Sequence, residues 1–420
     1  MKTIYAFYAA HRYWPQEERL MSVYQEISSY FSGDFECVLF WDDRPLDSGP
    51  AGECLVVVPL SGAVQRMILN DAAKYESVIL YAAYIRGNAS RTACEDMLRA
   101  NAAPTVMDTW AVMHRNHRNA SIALNMEELE RKLRVAEAYR YVKGAAILKI
   151  GETEPWVVSN AAQPSVYESR LGVRIVPVAQ DEVVRRYKNA TDEDGKKYLD
   201  WFCSHSSKVM EPTQEDIRNA SRMAFALVSL MEDYNASGAA IACFNLLQTG
   251  TNMCLGVSYI NDCTDRFISC ECDMDSAVTM LMMKKLSRYK LWMANPGLQP
   301  DKTVNFSHCT APICIMNEAL NTTLRNHHES GIGVSLQVDI PAGVRVTACR
   351  LSDECRSITV QNGVTIDGPY ESACRTQAHV RLDNFDYYLK TAMGCHQVFA
   401  FEDISAEMRE LAEMLGLKAV

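Results

Sequence analysis

The first third of the chain alternates short apolar runs with amphipathic stretches that are long enough to form helices. Residues 4–8, 37–41, 55–59 and 77–81 have the length and composition of buried strands, and helical spacing occupies residues 62–72 and 126–143. Strands separated by helices favour a parallel sheet that is covered on both faces. We therefore predict an open α/β domain over residues 1–155, which also includes a strand at 145–150.

The middle of the chain repeats this pattern. Apolar runs at residues 173–178 and 238–244 predict strands, and the spacing of apolar positions at 214–235 and 276–286 predicts helices. Residues 156–298 are accordingly predicted to form a second open α/β domain.

The pattern changes after residue 298, where apolar and polar positions alternate and β-branched residues become frequent. Strands are predicted at residues 334–340, 344–351, 357–360 and 378–382. Alternation of this kind is typical of antiparallel strands that close into a compact β unit. We predict a mostly antiparallel, barrel-like domain over residues 299–420. Its last helix, at 405–415, is predicted to have Ser405 as its cap and Gly416 as a left-handed C-terminal residue.

Composition then excludes several classes of protein. The 420 residues are 48% hydrophobic and 22% charged, which is typical of globular proteins, and the formal net charge of −10 argues against nucleic-acid binding. The apolar runs are shorter than the roughly 18 residues that span a bilayer. The 15 cysteines include no C-x-x-C pair, so reduced thiols are expected rather than a disulfide framework. We predict a cytoplasmic protein with no membrane or nucleic-acid partner.

Three residues far apart in the sequence could bind a metal ion. Glu271 follows an apolar strand, at the edge where open α/β sheets bind ligands, although the neighbouring Asp275 or Ser276 could make this acidic segment a simple helix cap. His308 and His396 each stand in a turn of small residues beside a strand. A carboxylate and two imidazoles are ligands for a divalent ion. Either histidine could equally be a satisfied core residue, because spacing alone does not show that the three converge.

Other residues offer weaker signals. The tract 374–381 is rich in hydrogen-bond donors, among them Arg375 and Gln377, and could be a charged strand face or could grip an oxygen-rich ligand. His327 and His328 stand beside Glu329, and adjacent histidines usually point to different faces. Isolated cysteines such as 270, 272 and 309 are expected to act as small hydrophobes. The motifs G-x-G-x-x-G, Walker A, G-x-S-x-G and H-E-x-x-H are absent from the sequence.

Several short motifs in the second half together resemble a known superfamily. They are Cys270-Glu271-Cys272-Asp273, Asn295-Pro296, His308-Cys309-Thr310, Glu329-Ser330-Gly331, Cys374-Arg375 and Gly394-Cys395-His396. In this order they resemble the L-fucose isomerase and L-arabinose isomerase superfamily, and most closely its shorter fucose-isomerase-like members. The resemblance covers residues 238–420, and before them only the α/β pattern agrees.

The resemblance implies a fold, a reaction and a ligand set. Members of the superfamily pair two α/β domains with a C-terminal barrel-like domain, assemble as trimers or hexamers, and interconvert aldoses and ketoses with a divalent ion, usually Mn²⁺. Glu271 takes the position of the first metal-binding carboxylate, which also transfers protons. His396 matches the C-terminal metal histidine, and His308 resembles the additional histidine ligand of the arabinose branch.

One position departs from the superfamily pattern. Asn295 stands where the second acidic ligand is expected. An amide oxygen can bind a hard cation, but an amide cannot carry a proton. Asp273 is the nearest substitute for the missing acid, and it could equally be only a helix cap. The expected metal ligands are thus Glu271, Asn295, His308 and His396.

We therefore predict a metal-dependent aldose–ketose isomerase that acts on a free sugar through an ene-diol. Glu271, Asp273 and Asn295 are the expected catalytic residues. Two alternatives stay open. One is an isomerase of an unusual or anionic sugar, such as a sulfonated or phosphorylated one, and the other is a sugar-binding protein that has lost catalysis. The residues expected to contact substrate are His328, Arg375 and Gln377. The anionic alternative is prompted by Asn295 and by the arginines Arg345, Arg350, Arg375 and Arg381, which could instead be solvated strand faces.

Overall fold

The computed structural model describes residues 2–10, 17–29, 36–45, 49, 52–82, 102–116, 119–159 and 162–420. The chain forms two compact units, Met1–Glu137 and Ala138–Val420. None of the helices in the described ranges combines the length and the apolar character needed to cross a bilayer.

The first unit is built on a parallel sheet of five strands. In chain order they are β1 (Thr3–Ala9), β2 (Glu36–Trp41), β3 (Cys54–Pro59), β4 (Ser77–Tyr81) and β5 (Ala120–Ala123), and their order in the sheet is β2-β1-β3-β4-β5. The helices described in this unit are α1 (Glu17–Ser29), α2 (Gln65–Ala72), α3 (Ala103–Arg115) and the start of α4 (Met126–Lys143). Every residue of β1, β3 and β4 is buried, which explains why these strands are continuous apolar runs without alternation.

A second parallel sheet lies in the second unit. Its strands are β6 (Ala146–Ile150), β7 (Arg174–Val178), β9 (Gly238–Ile241) and β10 (Phe267–Ser269), in the order β10-β9-β6-β7. The sequence-based boundary at residue 155 assigned β6 to the first domain, whereas β6 pairs here with β7 and β9. The helices described with this sheet are α5 (Pro164–Leu171), α6 (Gln180–Asn189), α7 (Asp192–His205), α8 (Gln214–Asp233), α9 (Cys254–Cys263) and α10 (Met274–Lys284).

Local chemistry sets the limits of α8, the longest of these helices. Thr213 and Asp216 form a capping box, in which the Asp216 N–H donates to the Thr213 hydroxyl (3.2 Å) and the Thr213 N–H donates to the Asp216 carboxylate (2.8 Å). The apolar positions predicted for its inner face, such as Met223, Leu227 and Leu230, are all fully buried. Capping and amphipathic spacing therefore point to the same helix, which was predicted to within two residues.

A closed antiparallel barrel follows the second parallel sheet. Its six strands are β11 (Trp292–Leu298), β12 (Val304–His308), β15 (Arg345–Ser352), β16 (Ser357–Ile366), β17 (Thr376–Leu382) and β18 (Gln397–Ala400). They run in the order β15-β18-β11-β12-β17-β16, and pairing of β15 with β16 closes the ring. The short β19 (Lys418–Ala419) adds to β16, and a separate sheet contains β8 (Lys208–Val209), β13 (Thr322–Arg325) and β14 (Ser335–Val338).

The observed architecture thus agrees with the predicted class of parallel α/β sheets followed by a barrel-like β unit. The division into three domains stays a prediction, and β11, which was placed in the second domain, lies in the barrel. Buried aromatic rings fill part of this region, with Phe306 and Phe399 in edge-to-face contact at 4.5 Å between ring centroids.

Two details of the C-terminal prediction have different outcomes. The helices of this region are α11 (Phe385–Thr391), which was not predicted, and α12 (Ser405–Met414). The N-cap of α12 is Ile404 and the Ser405 hydroxyl donates to Asp403 (2.6 Å), so the prediction that Ser405 caps this helix is wrong. Gly416 has φ = 71°, which confirms its left-handed conformation after the helix.

Gly238 lies where β9 and β10 pack closely, so a substitution there measures how tight that packing is. A Cβ atom at this position would lie 2.2 Å from ring atoms of Phe267, its partner in β10. We expect Gly238→Ala to destabilise the fold by about 1–3 kcal/mol through overpacking, measured as a lower urea midpoint. In Gly144→Ala the nearest atom would be 3.7 Å away, so this control should be close to neutral. Equal stability of the two variants would contradict the described packing.

Candidate metal centre

The carboxyl edge of the second parallel sheet brings three chain segments together. Strands β6, β9 and β10 end at this edge because they run parallel, and Glu271 stands two residues beyond β10. The turn that carries it is held from both neighbouring segments. The Cys272 N–H donates to Ile241 O (2.9 Å), and the Glu154 N–H donates to Glu271 O (3.1 Å). The Glu271 backbone is therefore fixed by the sheet rather than by its own loop.

This turn contains an unusual backbone conformation. Glu271 has φ = 59° and Cys272 has φ = 48°, and both lie in the left-handed region that disfavours residues other than glycine. Each such residue costs on the order of 1–3 kcal/mol. The chain leaves the turn through Asp273, the N-cap of α10, whose carboxylate accepts from the Ser276 N–H (3.0 Å). The strain identifies the turn as a position where the placement of a side chain matters.

Two histidines approach Glu271 from the barrel. His308 is the last residue of β12, and His396 immediately precedes β18. Strand β11 lies between β12 and β18 and pairs with both of them. The two imidazole centroids are 5.9 Å apart. Ligand atoms of Glu271, His308 and His396 all lie within 4.8 Å of one another, so the structure brings together three residues that span 125 positions of sequence.

The donor atoms of this cluster fit a metal ion. Buried His396 Nε2 has no hydrogen-bond partner and lies 3.4 Å from Glu271 Oε1. Burial lowers the pKa of His308 to about 3, so this imidazole is a neutral ligand with a free electron pair. One carboxylate and two imidazoles whose ligand atoms lie within 4.8 Å of one another are a donor set suited to Mn²⁺, Fe²⁺, Co²⁺ or Zn²⁺.

Asp273 orients the His396 ring from the side opposite Glu271. His396 Nδ1 and Asp273 Oδ2 are 2.8 Å apart, and the same carboxylate oxygen accepts from Arg350 Nη1 at 2.8 Å. Burial alone would raise the pKa of Asp273, but the Arg350 charge and the hydrogen bond from His396 hold that pKa well below its usual range. The ionised carboxylate accepts the Nδ1 proton and turns Nε2 toward Glu271, an arrangement common around metal-binding histidines. Burial alone would lower the pKa of His396, but the hydrogen bond to Asp273, with smaller effects of its other neighbours, raises that pKa, so an ion that binds Nε2 would have to displace a proton.

Arg350 supports both Asp273 and His396. Its side chain is fully buried, and it also donates to His396 O (3.1 Å), Ser276 Oγ (3.1 Å) and Ser159 Oγ (3.1 Å). The guanidinium therefore fixes both the Asp273 carboxylate and the main chain of His396. The interpretation of Arg350 as a binding group for an anionic sugar is wrong, because its donors are committed to protein oxygens.

The other arginines considered for an anionic ligand lie elsewhere. Arg345 pairs with Asp383, and Arg375 donates to the main-chain oxygen of Asn326 (2.8 Å). Arg381 is an exposed residue of β17. None of these arginines is among the described residues that line the pocket beside Glu271, so they do not support an anionic ligand there; the anionic alternative itself stays a prediction.

The Glu271 carboxylate is held on its second oxygen by Trp156. Trp156 Nε1 donates to Glu271 Oε2 at 2.7 Å, and the indole packs edge-to-face against Phe244 at 4.8 Å. Burial raises the pKa of Glu271, but the proximity and charge of His396, with smaller effects of His308 and of the Trp156 hydrogen bond, outweigh burial and lower it. Glu271 is thus an oriented carboxylate that stays ionised.

A pocket opens beside Glu271 and His308, with an empty volume of about 450 Å³ that includes the part open to solvent. Its described walls contain no lysine or arginine. The remaining lining residues are Cys243, Phe244, Leu247, Asn252, Met253, Cys254, Cys270, Cys309, Thr310, His327, Glu329 and Cys374. The pocket is therefore mostly apolar, with its charged and strongly polar groups gathered at the metal cluster and at the pair His327 and Glu329.

The predicted substrate-binding residues do not line this pocket in the described part of the chain. Gln377 donates to Glu371 O (2.8 Å) and Arg375 binds Asn326, so both support neighbouring loops. His327 lines the pocket in place of its neighbour His328, which agrees with the expectation that adjacent histidines face different ways.

The two catalytic residues predicted beside Glu271 occupy different places. Asp273 is fully buried behind His396 and does not reach the described pocket walls, so it does not replace the missing acid. Asn295 lies in β11 opposite Ser307, half-buried, on the strand between the two histidine-bearing segments. Its role as a ligand stays a prediction.

Sequence reasoning missed Trp156 and Glu154. Trp156 lies 115 positions from its partner Glu271, and Glu154 accepts from the Phe244 N–H (3.1 Å) across 90 positions. No local pattern signals contacts of this kind. Glu329 was visible in the sequence as a neighbour of two histidines and as part of the motif Glu329-Ser330-Gly331, but no role was predicted for it.

Comparison with known proteins adds no relative to these observations. No protein-family model and no curated protein matches the sequence. The geometry of the site therefore carries the functional argument.

Asp273→Asn tests whether the carboxylate that contacts His396 Nδ1 affects metal binding. We expect Mn²⁺ affinity, measured by isothermal titration calorimetry, to fall about 10–100-fold, because the neutral amide no longer fixes the His396 tautomer. Asp353→Asn is the matched control, since Asp353 also pairs with an arginine but its side chain is 54% exposed. Unchanged affinity in Asp273→Asn would show that His396 is oriented without this carboxylate.

Proposed function

We propose that this protein is a divalent-metal-dependent aldose–ketose isomerase that acts on an uncharged sugar through an ene-diol. The observation that carries the proposal is the convergence of Glu271, His308 and His396 within 4.8 Å, at the wall of a pocket. The motif resemblance to the fucose and arabinose isomerases supports the same reaction. It also favours Mn²⁺ as the ion, a trimer or hexamer as the assembly, and the cytoplasm as the location.

The reaction requires a hydrogen to move between adjacent carbons and a proton to move between their oxygens. A bound divalent ion would polarise the substrate carbonyl and hold both oxygens in register. Glu271 is suited to take the carbon-bound proton, because its carboxylate is ionised and is oriented by Trp156 on Oε2. His308 and His396 complete the ligand set, and Asp273 with Arg350 keeps His396 aimed at the centre.

The pocket walls favour an uncharged substrate. A phosphate or sulfonate group would need lysine or arginine donors, and the described lining contains neither. The five thiols, with Phe244, Leu247 and Met253, instead offer contact area to the carbon skeleton of a sugar. The negative charge of Glu329 on the same wall would also disfavour an anion.

Glu271→Gln should abolish most of the turnover. We expect kcat to fall about 10²–10⁴-fold or more, because the amide can neither accept the proton nor bind the ion as a carboxylate does. Circular dichroism and the urea midpoint should show an intact fold. Glu152→Gln is the control, since Glu152 lies on the same edge of the sheet with 91% of its side chain exposed. Retention of most of the activity in Glu271→Gln would remove it from the mechanism.

Metal removal is the second test of the proposal. Dialysis against a chelator should eliminate interconversion of a panel of aldoses and ketoses, and Mn²⁺ should restore it at a stoichiometry of one ion per chain. Full activity of the stripped protein would contradict the metal-dependent reaction. Sugar binding without interconversion in the presence of Mn²⁺ would favour a non-catalytic sugar-binding protein.

A further inference from the structure

The proposed isomerisation leaves one chemical role without a residue. Glu271 can carry the carbon-bound proton, but a second group must move the proton between the two oxygens. Asn295 has no proton to exchange, and Asp273 lies behind His396. Besides Glu271 and His308, the ionisable groups on the described pocket walls are His327, Glu329 and five thiols.

His327 is a neutral imidazole with a defined orientation. Its Nδ1 accepts from the Ser330 N–H (3.4 Å) and lies 3.0 Å from the Ser330 hydroxyl, so the ring proton resides on Nε2. Burial is the main cause that lowers the pKa of His327. The ring packs edge-on against Phe244 at 5.6 Å between centroids. His327 therefore presents a fixed N–H donor to the pocket.

Glu329 lies beside that nitrogen. Its Oε2 lies 3.2 Å from His327 Nε2, and its Oε1 accepts from the Cys374 thiol at 3.6 Å. The side chain is 46% exposed, yet both oxygens contact residues that line the pocket. The carboxylate is thus open to a ligand and is aimed by two neighbours.

The thiols are less suited to the same task. The Cys374 thiol donates to Glu329 at 3.6 Å, and Cys270 donates to the Thr310 hydroxyl at 3.8 Å. Cys309 is only 2% exposed and Cys270 only 3%. A group that exchanges protons with bound sugar hydroxyls must reach them, and Glu329 is the ionisable lining residue with an exposed carboxylate.

We propose that Glu329, oriented by His327, is the second proton-transfer group of the isomerase. This assignment rests on the proposed function. Glu271 takes the proton from C2 of the aldose and returns it to C1. The Glu329 carboxylate takes the proton of the O2 hydroxyl and delivers it to O1, so both carboxylates end the cycle as they began. His327 is a positioning residue that holds Glu329 through Nε2.

The test compares steady-state kinetics and Mn²⁺ affinity in variants of the full-length, manganese-loaded protein. Glu329→Gln should lower kcat about 10²–10⁴-fold and leave Mn²⁺ affinity unchanged, because Glu329 is not a ligand. Glu329→Asp, which keeps the acid, should recover part of the loss. His327→Ala should lower kcat, and His327→Gln should recover part of it, since a glutamine amide can donate to the same carboxylate.

The control variant lies outside the pocket, and each opposing outcome would overturn a different claim. Glu318→Gln changes an exposed carboxylate between β12 and β13 and should retain wild-type kinetics. Absence of isomerisation in the wild type with every sugar tested would overturn the proposed function and this role together. An active wild type with an equally active Glu329→Gln variant would overturn the role alone. Loss of activity in Cys309→Ser with retention in Glu329→Gln would assign the proton transfer to the thiol instead.

Discussion

The buried ion pair between Asp273 and Arg350 is the interaction on which the candidate site depends. Both side chains are completely inaccessible to solvent, and loss of one partner from such a pair typically costs about 3–5 kcal/mol because an uncompensated charge stays buried. The pair joins the N-terminus of α10, at the carboxyl edge of the parallel sheet, to β15 of the barrel. It also fixes the main chain and the ring of His396. The same ion pair therefore holds the barrel against the sheet and orients this candidate ligand.

Much of the fold could be predicted because buried parallel strands and amphipathic helices leave patterns in the sequence. Residues 77–81 and 126–143 were predicted with the bounds that the structure gives to β4 and α4. Sheet membership leaves no such pattern. β6 was predicted as a strand within residues 1–155, whereas it pairs with β7 and β9, because the choice of neighbour is decided by tertiary packing.

The candidate site was predictable only in part. Glu271 could be found because it follows an apolar strand at an edge that binds ligands, while the convergence of His308 and His396 on it was inferred from a resemblance and not from spacing. Arg350 was considered as an anion-binding group because the sequence of its strand does not show that the arginine is buried beside Asp273. Every residue of β15 after its first is buried, since that strand packs against α10 as well as within the barrel.

The three candidate ligands come from segments that are far apart in the sequence and meet in the folded chain, so a bound ion would have a thermodynamic role besides chemistry. An ion that binds only the native chain raises the free energy of unfolding by RT ln(1 + [ion]/Kd), which is about 2.7 kcal/mol at a hundredfold excess over Kd. Part of that free energy would offset the backbone strain of the turn at Glu271 and Cys272. Metal supply would then govern the lifetime of the folded protein as well as its turnover.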